Sequence, residues 1–162
     1  MNFRTGFGYD VHAFAENRKL FLGGVEIPSD KGLLGHSDAD VLIHSICDAI
    51  LGALALGDIG QHFPDTDSKY ENIDSKILLS KVNELMLNKS YKINNIDTTI
   101  VMEKPKLKNY IKQIRISISN ILKINIEQIS VKATTSEKLG FVGKEEGVKA
   151  FATVLLAEDV GD

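Results

Sequence analysis

Residues 38–56 (Asp-Ala-Asp-Val-Leu-Ile-His-Ser-Ile-Cys-Asp-Ala-Ile-Leu-Gly-Ala-Leu-Ala-Leu) read as one strongly apolar helix. Such a helix must be covered on most sides, so it constrains the fold more than any other segment. Its start carries a capping signature, with Ser37 at the N-cap and Asp40 three residues on. Asp40, His44 and Asp48 fall at i, i+4 and i+8, and so form a single polar stripe on that helix.

The elements around it alternate. Residues 3–12 read as a strand, and residues 19–28 as a short hairpin turning at Gly23-Gly24. Residues 74–88 form a second helix and 93–103 a strand. Leu107, Tyr110, Ile111, Ile114, Ile118, Ile121 and Leu122 have helical spacing, which predicts a third helix over 107–123. Ile129, Val131 and Ala133 alternate with polar residues, as in a half-buried strand, and 147–157 closes the chain as a last strand. This order predicts an α/β (α+β) sandwich: a four-stranded mixed sheet with helices on one face, plus a small β-hairpin. Val148 to Leu156 is apolar on both sides, which predicts that other subunits cover the second sheet face. Cover from within the chain is the alternative. Residues 1–162 are expected to form one domain, without a linker or internal repeat.

Composition excludes several classes of function. A net charge of −3 argues against a general nucleic-acid surface. No apolar run approaches the ~20 residues needed to span a bilayer, so no membrane partner is expected. A single cysteine cannot form an internal disulfide, which fits a reducing compartment. A strand starting almost at Met1 leaves no room for a leader, so the expected location is the cytoplasm. A plastid-type protein already relieved of its leader would read the same way.

Chemistry concentrates around the stripe. Asp10 and His12 alternate on a strand, so both side chains point to one side. His44, from the helix packed on that strand, would complete three ligands. Three protein ligands with one open position describe a catalytic zinc. A hydrogen-bonded core histidine is the bland alternative for His44. Asp48 and Asp40 are the candidates to hold the second ring nitrogen of His44. Cys47 is a competing ligand, but Ile46, Ile50 and Leu51 around it favour a buried, inert thiol.

Three further stretches call for a role. Residues 57–73 are too long for an ordinary connection. Their aspartates, Asp58, Asp65 and Asp67, suit a hydroxylated substrate or a hard cation; a solvated Asp/Gly-rich turn is the alternative. Residues 104–115 are the one basic cluster and open the third helix, where an anion is favoured. A solvated helix face is the alternative there. Lys132 to Lys138 ends a strand with hydroxyls suited to phosphate, and Glu137 suits Mg²⁺ on two phosphates. Gly140-Phe141-Val142-Gly143 reads as a turn with an exposed aromatic.

Together these blocks resemble the 2-C-methyl-D-erythritol 2,4-cyclodiphosphate synthase family of the non-mevalonate isoprenoid pathway. Gly8-Tyr9-Asp10-Val11-His12, Gly32 to Asp40, Leu56 to Gly60, Phe63-Pro64-Asp65-Thr66-Asp67 and Lys132 to Phe141 match it in order and spacing. The resemblance covers essentially the whole chain. It implies a homotrimer with active sites between subunits, and conversion of 4-diphosphocytidyl-2-C-methyl-D-erythritol 2-phosphate to the cyclic diphosphate with release of CMP. It implies that Asp10, His12 and His44 bind zinc or another divalent ion, and that Glu137 holds Mg²⁺ or Mn²⁺ on the diphosphate. His36 and Thr135 would stabilise the transition state. Ser37 would contact phosphate. Asp58, Ile59, Gly60, Phe63, Pro64, Asp65, Thr66 and Asp67 would bind the methylerythritol part. The neighbouring subunit would supply the cytidine site through Met102, Pro105, Lys106, Leu107, Ala133, Thr134 and Ser136. Phe141 and Lys144 complete the implied substrate contacts.

The implied reaction suits these residue types. The attacking 2-phosphate is already an anion, so no strong general base is needed. Lys144 stands where many members carry arginine, and Phe151 where some carry glutamate. Lysine binds phosphate as a point charge, not a fork, so axial binding of isoprenoid diphosphates is not among the expectations. Two other functions compete: a zinc phosphohydrolase using water, and a non-enzymatic trimer with structural zinc. Against the second stands the surplus of polar groups at Asp58, Asp65 and Glu137.

Overall fold

The computed structural model describes residues 1–160. The main sheet runs β4–β1–β7–β5–β6, with β1 at Phe3–Ala15, β4 at Gly32–Leu33, β5 at Tyr91–Val101, β6 at Ile129–Thr134 and β7 at Gly147–Glu158. The four long strands are those expected. β4 adds a two-residue fifth, pairing Phe14 with Leu33 at the sheet edge, too short to leave a periodicity. β7 is antiparallel to both β1 and β5, whereas β5 and β6 are parallel. A separate hairpin joins β2 (Leu20–Leu22) and β3 (Val25–Ile27). Gly23 and Gly24 turn it at φ 62° and 78°, in the left-handed region where glycine carries no Cβ penalty.

Helices α1 (Val41–Ala53), α3 (Ser75–Asn88) and α4 (Ile111–Leu122) carry the cover. The inner face of the sheet buries Ile96, Ile100, Val148, Ala150, Val154 and Leu156 in one cluster with α1 and α3. In α1, Leu42, Ile43, Ile46, Ile50 and Leu51 have no exposed surface. Each contributes about 1.5–3 kcal/mol by leaving water. Cys47 lies in the same cluster, and burial pushes its thiol well above its ordinary range, as an inert core residue requires.

The helix sits unusually close to β1. A Cβ at Gly6 would lie 1.8 Å from the Ala49 carbonyl oxygen, and one at Gly8 would lie 1.8 Å from that of Ser45. Two strand positions without side chains therefore let α1 rest on the β1 backbone. That contact lowers His44, the neighbour of Ser45, onto the Asp10–His12 side of the strand.

Several boundaries differ from expectation. The α1 N-cap is Asp40, not Ser37: its carboxylate accepts from Ile43 N–H, and Ser37–Ala39 are spent on the preceding turn. Asp40 is fully buried and also accepts from Gly23 N–H at 2.9 Å and Gly24 N–H at 2.7 Å. It thus ties the hairpin to the helix start. The third helix begins at Ile111 and not at 107. Leu107–Tyr110 form a turn whose apolar spacing imitates a helical one, so most of the basic cluster precedes α4. The 57–73 stretch holds α2 (Ile59–His62) and a 3₁₀ turn at Ser68–Tyr70, and residues 140–143 form a single helical turn, α5 (Gly140–Gly143).

On the outer sheet face, Phe3, Phe7, Tyr9 and Val11 are exposed along β1. Phe151 of β7 lies beside them, 6.3 Å from the Phe7 ring and 5.2 Å from the Tyr9 ring. The face without helices therefore carries an aromatic patch where β1 meets β7, flanked on β7 by Lys149 and Thr153, so that strand is not apolar on both sides.

Candidate active site

Asp10 and His12 point inward from β1, and α1 presents His44 to them. One ligand atom from each of the three lies within 4.8 Å of the others. Asp10 Oδ2 is 3.0 Å from His12 Nε2 and 3.0 Å from His44 Nδ1.

The hydrogen bonds around the rings decide which nitrogen faces the centre. His12 Nδ1 lies 2.7 Å from the Leu34 carbonyl oxygen, which can only accept, so Nδ1 carries the proton. His12 Nε2 then turns a lone pair to the centre, and it is buried without a hydrogen-bond partner. A ring lone pair of His12, a ring nitrogen of His44 and a carboxylate oxygen thus converge on one point. An orphaned ring nitrogen among such donors fits a divalent ion such as zinc. A proton is the competing occupant. Burial pushes Asp10 up, but the two imidazoles beside it, His12 and His44, outweigh that and hold the carboxyl at about 2. Burial pushes His12 down, and Asp10 more than offsets it, so the ring is raised above its ordinary value.

Neither Asp40 nor Asp48 holds His44, contrary to the sequence expectation. The Asp40 carboxylate is saturated by three backbone N–H groups, and Asp48 accepts from Ile59 N–H at 2.8 Å. Burial raises the carboxyl of each above its ordinary value. His44 Nε2 instead meets Ser75 Oγ at 2.9 Å and Ser37 Oγ at 3.2 Å. Ser75, at the start of α3, and Asp38, which accepts from it, were missed in the sequence. Asp38 stands in the Gly-His-Ser-Asp block and had that much signal; Ser75 had none.

Around the three ligands lies a cleft of about 230 Å³. His36, Ser37, Ile59, Gly60, Phe63 and Asp65 line it; Tyr70, Ile73 and Leu78 add an apolar wall that sequence reasoning missed. Asp58, Pro64, Thr66 and Asp67 do not line it. Asp58 caps α2 by accepting from Gln61 N–H, and Asp67 caps the 3₁₀ turn by accepting from Lys69 N–H. For these two aspartates the turn-forming role is visible, and Asp65 is the loop carboxylate that reaches the cleft.

A second cleft, of about 390 Å³, opens at the ends of the parallel strands β5 and β6. Open α/β sheets bind ligands at such strand ends. Met102, Pro105, Lys106, Leu107, Lys108, Ala133, Thr134 and Thr135 line it, together with Ile111. Ser136, Glu137, Phe141 and Lys144 lie outside this lining. The loop after β6 is shaped by Glu103, another residue not singled out beforehand. Its carboxylate accepts from Ser136 N–H at 2.8 Å and Lys138 N–H at 3.4 Å. Glu137 and Lys138 both take left-handed φ, 51° and 62°. Thr135 Oγ1 donates to Glu137 Oε1 at 3.3 Å. The two clefts share no lining residue.

Comparison with known proteins places this geometry. Residues 3–157 match the model of the YgbB family. A 2-C-methyl-D-erythritol 2,4-cyclodiphosphate synthase of Fusobacterium nucleatum is 62% identical over 153 residues, covering 94% of this chain and 96% of that protein. The bifunctional IspDF of Campylobacter jejuni superposes with a TM-score of 0.94 at 44% identity, over 97% of this chain; the chain spans 42% of that longer protein. The IspF of Plasmodium falciparum in its CDP complex superposes with a TM-score of 0.86 at 41% identity, over 97% of both chains.

Proposed function

The chain belongs to the YgbB family, and we propose that it performs the reaction its relatives are named for. It converts 4-diphosphocytidyl-2-C-methyl-D-erythritol 2-phosphate to 2-C-methyl-D-erythritol 2,4-cyclodiphosphate and CMP. The 2-phosphate attacks the β-phosphorus of the same molecule, the new P–O bond closes the ring, and the bond to CMP breaks. The observation that carries this reading is the convergence of Asp10, His12 and His44 at the floor of a cleft lined by His36, Gly60 and Asp65.

Asp10, His12 and His44 would hold zinc, and Glu137 would hold Mg²⁺ or Mn²⁺. Divalent ions, when bound, supply Lewis-acid charge against phosphate oxygens. The other tasks fall to the chain. Asp65 and the backbone at Gly60 receive the polyol hydroxyls, and Phe63 and Ile73 form apolar walls of the same cleft. Lys106 and Lys108 offer positive charge to the phosphates, and Met102 and Leu107 receive the base. His36 and Thr135, one in each cleft, stabilise the charge developing on the transferring phosphorus. Folding the substrate into attack geometry is the largest gain available, roughly 7–11 kcal/mol in well-oriented intramolecular reactions.

Each protomer holds both clefts but no lining residue common to the two, which supports a site completed by a neighbouring copy. The aromatic row Phe7, Tyr9 and Phe151 on the outer sheet face supports a homotrimer packed through that face. A single, buried cysteine, Cys47, suits the cytoplasm. ³¹P NMR of the diphosphocytidyl substrate with the enzyme tests the function. Equimolar CMP and a cyclic diphosphate are expected; a linear phosphate product would replace this reading with a zinc phosphohydrolase. Light scattering is expected to give about three chains per particle, and an active monomer would reject the shared site.

A further inference from the structure

We infer that Asp38 and Ser75 are positioning residues that fix the proton of His44 on Nε2 and so keep Nδ1 free for the metal. The inference rests on the reading that Asp10, His12 and His44 hold a divalent ion. Ser75 is fully buried at the start of α3, and its backbone N–H donates to Asp38 Oδ2 at 2.9 Å. Its hydroxyl donates to Asp38 Oδ1. A carboxylate only accepts, so the one hydrogen of that hydroxyl is spent. Ser75 Oγ can therefore only accept from His44 Nε2, 2.9 Å away. The ring proton is thereby placed on Nε2, and the lone pair of Nδ1 faces Asp10. Asp38 is itself fixed, since its Oδ1 also accepts from Asp40 N–H at 3.1 Å. Three hydrogen bonds in series, the middle one doubled by Ser75 N–H, thus run from the turn before α1, through the first residue of α3, to a ring on α1. Ser37 Oγ, at 3.2 Å from the same Nε2, accepts from Ala39 N–H, keeps its own hydrogen free and does not itself choose the tautomer.

Asp38→Asn separates this role from a packing role. An amide of the same shape has one oxygen. With that oxygen on Ser75 N–H, the NH₂ group gives up the bond from Asp40 N–H, faces Ser75 Oγ and turns the serine hydrogen toward His44. The ring proton then moves to Nδ1, where it blocks the metal. Zinc affinity is measured on the full-length apoprotein by competition with a chromophoric chelator, together with the visible spectrum of the cobalt(II) form and the apoprotein melting temperature. One zinc per wild-type chain, lost in His44→Ala, establishes the centre itself; a wild type that takes up no zinc overturns the metal reading and this inference with it. Given that centre, Asp38→Asn is expected to bind zinc about 10–100-fold more weakly, the range for groups behind a metal ligand, and to alter the cobalt spectrum. Its apoprotein melting temperature is expected to stay close to that of the wild type. Ser75→Ala serves where Asp38→Asn does not fold: it is expected to lose about 10-fold in zinc affinity while CMP binding is unchanged, and Ser75→Thr to restore it. Wild-type zinc affinity in a folded Ser75→Ala protein overturns the inference.

Discussion

The two clefts are held by different means. The Asp10–His12–His44 centre stands on a strand and a helix, and its two imidazoles are fixed from behind by a carbonyl and a serine. The Thr134–Lys138 segment hangs off the end of β6, largely exposed, in left-handed backbone, and answers to the single carboxylate of Glu103. Groups that must meet a small ion within a few tenths of an ångström are carried by regular elements. Groups that close over a long, flexible nucleotide are carried by a strand-end loop, which a few hydrogen bonds suffice to shape.

That contrast can be broken at three points. The largest effect is expected from His44→Ala, with zinc lost and kcat/KM down by about 10³-fold or more, while CMP titrated by calorimetry still binds at the other cleft. Loss of CMP binding along with the zinc would mean the clefts are not separable. Thr135→Ala is expected to lower kcat by about 10²-fold, the usual cost of one transition-state donor, with zinc content by metal analysis unchanged. Equal losses of zinc and rate would erase the distinction. Smallest is Glu103→Ala, which frees the loop. CMP is expected to bind about 10-fold more weakly, on the order of one charge-assisted hydrogen bond. Glu103→Gln keeps an oxygen for Ser136 N–H and should sit near the wild type. A kcat loss in Glu103→Ala without change in CMP affinity would place Glu103 in the chemistry and not in loop shape.

How much of this was legible follows from the range of each signal. Asp10 and His12 could be paired because strand alternation is a period of two, and His44 stood out as a polar residue on an apolar helix. The partners of Asp40 could not be read. They arrive from the hairpin 16 and 17 residues earlier in the chain, and nothing in helix periodicity reports a visitor. Asp40 and Asp48 were assigned to His44 because all three share a helix face, yet both carboxylates bend away to backbone N–H groups. Ser75 is a serine like any other until α3 is docked. The early start given to α4 has a local cause: Leu107, Tyr110, Ile111 and Ile114 satisfy helical spacing, and the turn at Leu107–Tyr110 keeps Leu107 buried just as a helix would.

The seam between β1 and α1 has a consequence for how such a chain can change over generations. At Gly6 and Gly8 the helix rests on main chain, not on side chains, so the height of His44 above Asp10 is set by atoms that every amino acid shares. Ile46, Ile50 and the strand residues beneath them can exchange for other aliphatics of similar volume, and the helix will still settle at the same depth. The two glycines have no such freedom, since any side chain there lifts the helix. Drift is thus confined to the core, and two residues that touch no substrate are as little replaceable as the ligands they serve.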